Sequence, residues 1–191
     1  MGIHLWGFPP RLMAPIVVQL GPVRALAWVV WNMPRYQRTL KRFGPVRTHL
    51  ICTAVSLVNG CPYCGSGHGY AFELAYLHEY GWLFPLGRYD MIMLCGRPPG
   101  LIRHRMVAAT QAAGLHPEVR WLERAIELTV AEDGRPTDVD DVRISHLVRM
   151  FGVLNSVGIA DGTEPDQAHS PLNKDRVLKL RYAGLRAVVG I

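Results

Sequence analysis

Cys61, Cys64 and His68 stand at a spacing at which two thiols and an imidazole can exchange electrons and protons. On a helix turning roughly 100° per residue, Cys61 at 0° puts Cys64 near 300° and His68 near 340°, so all three share one face about 60° wide. Thiols one turn apart can close a small disulfide, and an imidazole one turn beyond Cys64 can carry its proton. Pro62 suits the first turn of such a helix, where the N–H it lacks would have no intrahelical partner. Asn59-Gly60 reads as the turn that feeds the helix start. A thiol at that start lies in the positive end of the helix dipole, which favours the thiolate.

Other chemistries fit the string less well. A structural zinc site wants four ligands, usually as two such pairs, and the remaining cysteines, Cys52 and Cys95, are isolated. Attachment of a c-type haem needs His directly after the second cysteine, and Gly65 is there. Two buried cysteines beside an incidental histidine remain the bland alternative. No cofactor or metal ion is expected.

The elements that must position these residues read as helices. The run 50–59 is apolar almost throughout, and His49, Thr53 and Ser56 form a polar stripe on a helix over 46–58. The cysteine helix continues through Tyr70, Leu74 and Leu77 to Tyr80 before Gly81, with Gly65, Gly67 and Gly69 giving close packing or access to the thiols. Upstream, residues 1–20 read as an arm, extended over its first dozen residues, with Trp6 and Phe8 needing a place to dock. Helices are expected over 22–31 and 36–43, interrupted at Pro34 and ended at Gly44-Pro45. Downstream, helices are expected over 101–113 and 117–132, the second ended by Asp133-Gly134-Arg135-Pro136. Thr137 is the expected cap of a helix from Asp138 to Leu154 or Val157. Residues 161–172 read as a long, mobile polar loop before a last helix from Asn173 or Asp175. No strand alternation, repeat or linker divides the chain, so the expectation is one all-α domain, a helical bundle over 1–191.

Of 191 residues, 49% are hydrophobic and 19% charged, an ordinary balance for a globular protein. The net charge of +6 is unevenly placed: residues 1–72 hold seven Lys or Arg and no acid, the first being Glu73. Few aromatics interleave with these cations, so neither nucleic acid nor a membrane is expected as a partner. No signal peptide and no long apolar span is read, and four cysteines are too few for an extracellular scaffold, which points to the cytoplasm.

The stretch 49–81 resembles the alkylhydroperoxidase D-like, carboxymuconolactone decarboxylase superfamily. The resemblance is carried by Leu50-Ile51, Ala54-Val55-Ser56, Asn59-Gly60-Cys61-Pro62-Tyr63-Cys64 and His68. It implies an all-helical domain of that type, centred on a helix pair over 46–81 and assembled as a dimer, trimer or hexamer. It implies Cys64 as the nucleophile toward a peroxide or related small substrate, Cys61 as the resolving thiol served by a thiol reductant, and His68 as part of a proton relay. Where the family has a relay Glu twelve residues before the first cysteine, this chain has His49. With no acid before Glu73, a carboxylate for the relay must come from the second half of the chain or from another subunit.

The expected function is therefore a thiol-dependent oxidoreductase. The alternatives are a decarboxylase-like lyase using His49 or His68 as base, and a redox-sensitive binding protein. On the leading reading, a nearby imidazolium and the helix start should hold the Cys64 pKa below the ordinary value of about 8.5. The large apolar side chains Trp6, Phe8, Trp28, Trp31, Trp82 and Phe84 point to a homo-oligomer that buries part of them.

Overall fold

The computed structural model describes residues 4, 6–131 and 135–189. Its helices are α1 (Met13–Leu20), α2 (Pro22–Val58), α3 (Pro62–Tyr80), α4 (Arg88–Ile92), α5 (Pro99–Ala112), α6 (His116–Val130), α7 (Val139–Asp161) and α8 (Arg176–Val189), with a 3-10 turn at Pro171–Lys174. No strand occurs among the described residues. The chain is an all-α bundle.

Residues 48–57, in the last turns of α2, are buried without a break. A helix apolar on all sides has to be wrapped, and α3, α6 and α7 wrap it. α5 packs on α6, α1 lies across α2 and α7, and α8 lies on α3. The polar stripe on this central helix mostly satisfies itself. Thr53 Oγ1 donates to the His49 carbonyl (2.7 Å) and Ser56 Oγ to the Cys52 carbonyl (2.8 Å), the back-bonding short hydroxyl side chains adopt inside helices. His49 alone uses its side chain to reach another element.

The expected break at Pro34 is absent, and α2 runs through it. Pro34 and Val30 are both exposed, so the carbonyl that loses its i+4 donor can be solvated instead of buried. The expected break at Gly44-Pro45 is real: Gly44 has φ 79° and ψ 166°. A residue before proline avoids the helical region, and only glycine takes this positive φ cheaply. The kink lets 46–58 run into the core while 22–43 stays half outside.

The Asn59-Gly60 turn and the helix from Pro62 to Tyr80 follow the expectation. Gly81 closes the helix with φ 87°. The cap of α7 differs from it. Asp138 is the N-cap and accepts from the N–H groups of Asp140 and Asp141 (both 2.8 Å), while Thr137 donates its hydroxyl to Asp141 Oδ2 (2.7 Å). A carboxylate meets two free N–H groups better than a hydroxyl does. α7 also runs on to Asp161, beyond Leu154 and Val157, and ends at Gly162. The expected helix end at Glu132 and the turn residues Asp133 and Gly134 lie outside the described residues.

The arm docks on its own chain, and the loop expected to be mobile is docked as well. Leu12 and Ile16 enter the core with Ile51, Val55, Cys61, Cys64, Leu147 and Phe151, each fully buried large side chain stabilising by roughly 1.5–3 kcal/mol. The loop after α7 is pinned from three sides. Tyr63 Oη donates to Asp166 Oδ2 (3.0 Å), the His169 N–H to the Gly67 carbonyl (3.0 Å), and Asn173 Nδ2 to the Trp6 carbonyl (2.8 Å). Ala168, His169 and Ser170 are buried. α8 is held by Arg186 and Tyr182, which both donate to the buried Glu73 of α3.

Candidate functional site

Cys61 is the N-cap of α3 and Cys64 lies in its first turn, so both thiols sit where the helix dipole is positive. Both are buried and neither is in a disulfide. The Cys64 S–H supports a thiolate on Cys61, whose pKa falls to about 7, and the nearby N–H groups of Cys64 and Tyr63 help although they fall short of a capping hydrogen bond. The anionic neighbour and then burial push the Cys64 pKa well up. The expected low Cys64 pKa is thus reversed, and the lowered thiol is Cys61. Space for its sulfur is provided by Gly158 of α7, where a Cβ would lie 3.1 Å from Cys61 Sγ.

His68 and His49 meet in the core with their rings tilted by 34°, Nδ1 to Nδ1, at 3.1 Å. Burial, and then the charge of His169, lowers the pKa of His49 to about 3 and drives that of His68 well below its ordinary value, His49 adding to the effect on His68. Both rings are therefore neutral, and the imidazolium expected beside Cys64 is not supplied by His68. One ring must donate and the other accept. His49 Nε2 is buried without a partner, and a bare acceptor is tolerated better than a bare N–H. The hydrogen-bond pattern thus assigns the Nδ1 proton to His49. His68 then accepts at Nδ1 and carries its own proton on Nε2.

A second histidine with a carboxylate completes the cluster. His169 Nε2 lies 3.0 Å from Asp166 Oδ1, and Asp166 Oδ2 accepts from Tyr63 Oη and from the backbone N–H of Arg11 (3.3 Å). Burial alone would raise the Asp166 pKa, but the His169 contact and these donors hold it below the ordinary carboxylate range. The His169 ring stacks on Trp6 (5.3 Å) and meets His68 edge-on (5.1 Å). Gly67 makes this approach possible, since a Cβ there would fall 2.3 Å from His169 Cε1. Of the three glycines in the motif, Gly67 is the one the packing demands. Gly65 is tight against Leu57 and Ile92, and Gly69 has ordinary room.

Cys64, His68 and His169 open on one apolar cavity of about 320 Å³, walled by Trp6, Leu12, Ile16, Trp28, Met33, Tyr36, Tyr63 and Phe151 among others. Cys61 and His49 do not line it. Of the four residues singled out in the sequence, all come together, but only Cys64 and His68 face the space a ligand could fill. Among the described residues no three His, Cys, Asp or Glu side chains converge as a metal site. Cys52 and Cys95 do not line the cavity, and burial raises the pKa of the first well up and of the second to about 11.

Sequence reasoning missed His169, Asp166 and Tyr63. The requirement for a carboxylate from the second half of the chain pointed toward Asp166, but eleven other acids met it equally. The i, i+3 spacing of Asp166 and His169 was the only local sign. Comparison of the chain with protein-family models, with curated proteins and with solved structures returns no match, and the function has to be argued from the site itself.

Proposed function

We propose that the protein is a thiol-dependent oxidoreductase that reduces a hydroperoxide with a hydrocarbon body, using Cys64 as nucleophile and Cys61 as resolving thiol. The observation that carries this reading is the asymmetry of the pair: one thiol faces an apolar cavity and the other is held behind it. Cys64 sulfur attacks the terminal oxygen of the hydroperoxide, the O–O bond breaks, and the alcohol leaves with a proton, leaving a sulfenic acid. Cys61, a thiolate near neutral pH, attacks the Cys64 sulfur; the S–S bond forms and water leaves. A dithiol reductant then restores both thiols by exchange. The lowered pKa of Cys61 suits the resolving role, whereas Cys64, whose pKa is raised, needs a base to take its proton before it can attack.

Sulfenic acid trapping with dimedone tests the assignment. Cys61→Ser treated with cumene hydroperoxide should accumulate the adduct at Cys64, and Cys64→Ser should give none at Cys61. An adduct at Cys61 in the second variant would reverse the roles. The reading extends to assembly as a homo-oligomer, supported by the exposed apolar side chains of α1 and α2.

A further inference from the structure

We infer that His169 is the base that takes the Cys64 proton, with Asp166 as its positioning residue, and that His68 serves as a hydrogen-bond donor to the substrate oxygen. The inference rests on the peroxide reading above and assigns the acid–base roles within that site. Three observations carry it. First, the Nε2 contact with Asp166 fixes the His169 tautomer: the carboxylate accepts Nε2–H, which leaves the Nδ1 lone pair free. His169 Nδ1 has no hydrogen-bond partner among the described residues. Second, the ring lies against α3 at Gly67, three residues from Cys64 and so on the same helix face. Third, the His49 contact leaves His68 with Nε2–H as its free polar atom, and a ring in that state can donate but not accept there.

Proton and electron pairs then balance without another group. From the state in which Cys61 is a thiol, the Cys64 proton passes to His169 Nδ1 as the sulfur attacks, and the imidazolium is held by Asp166. His68 Nε2–H donates to the hydroperoxide oxygens while the O–O bond breaks, and His169 returns the proton to the departing alkoxide, giving the alcohol. The titratable or charged groups around the His169 ring are Asp166 on its own loop, Tyr63, Cys64 and His68 on α3, Cys61 at the start of α3, His49 on α2, and the Arg11–Glu164 pair (3.3 Å) at the surface. Trp6 and Phe8 cover the ring on the arm side.

The test measures Cys64 in the full chain two ways across pH: alkylation by iodoacetamide and oxidation by cumene hydroperoxide, both read by peptide mass. His169→Gln and Asp166→Asn should slow both reactions, the first by about 100-fold, the general-base range. His169→Gln should also shift the rate to the higher pH at which Cys64 ionises unaided, and Asp166→Glu should recover part of the loss. His68→Gln, which keeps an N–H donor, should slow oxidation less than His68→Leu does, and neither should change the pH profile of alkylation. Thermal melts show that each variant compared is folded; should His169→Gln not fold, His169→Asn and Asp166→Asn carry the same comparison. Wild-type alkylation and oxidation profiles matched by folded His169→Gln and Asp166→Asn would overturn the assignment, as would an alkylation profile that follows His68 instead. Alkylation that depends on His169 in a wild type inert to the hydroperoxide would keep the base and sink the peroxide reading.

Discussion

The side chains of the site divide the work by burial. His49 is buried and neutral with a pKa near 3, against an ordinary value of 6.5, so on unfolding it takes up a proton at any pH between the two. Stability from a group lowered in this way is fully present above its unfolded pKa and is lost as the pH falls through that window, by about 1.4 kcal/mol per pH unit. His68 acts in the same direction. The thermal midpoint should therefore drop as the pH is taken from about 7 to about 5, and His49→Leu should lower the midpoint at neutral pH while flattening its slope. An unchanged slope in that variant would mean that His49 is already charged in the fold. Cys61, Cys64 and His68 were legible as neighbours because a helix makes spacing into geometry, whereas His49 entered the site through the resemblance alone. Their protonation was not, because it depends on burial and on His169, more than a hundred residues away in the chain.

At the scale of elements, glycines decide what α3 and α7 can hold beside them. A Cβ at position 67 would overlap the His169 ring, so Gly67→Ala should push the loop 163–170 off α3. It should cost about 1–3 kcal/mol, the range for overpacking, and slow Cys64 alkylation. Gly152→Ala on α7, where nothing lies within 4 Å, should instead stabilise by up to about 1 kcal/mol. Equal effects of the two substitutions in urea melts would argue against the docking of His169 on Gly67. The helices themselves were legible in the sequence, from the Gly44-Pro45 break to the Asn59-Gly60 turn, because proline and glycine act locally. Pro34 misled because its cost depends on whether the freed carbonyl meets solvent. The loop after α7 misled because its polar composition conceals Ala168, His169 and Ser170, which are anchored by contacts from α3 and the arm.

For the whole molecule, no described helix is long and apolar enough to cross a membrane. Of the six large side chains expected at a subunit contact, Phe8 and Phe84 are buried within the chain, while Trp31 and Trp82 stay exposed at 63% and 61%. The arm docks on its own chain, so it gives no reason for assembly. The remaining reason is the set of exposed apolar side chains on α1 and α2, Val17, Val18, Val23, Leu26, Val30 and Trp31, since apolar surface left outside a bundle is where copies of a chain associate. Light scattering at micromolar concentration should give a multiple of the 21.4 kDa chain mass, and Val23→Asp with Val30→Asp should return it to one chain; a wild-type monomer would end the idea. The fold class was legible from helical periodicity alone, whereas this surface was not, since the sequence does not say which apolar residues the bundle leaves outside. The dithiol reaction itself is tested most directly by adding one equivalent of cumene hydroperoxide to the reduced chain, counting thiols and mapping any bridge. Two thiols per chain should be lost as the hydroperoxide becomes its alcohol, Cys61 should be joined to Cys64, and Cys52 and Cys95 should remain free for alkylation after unfolding. Four surviving thiols, or a principal bridge containing Cys52 or Cys95, would contradict the account.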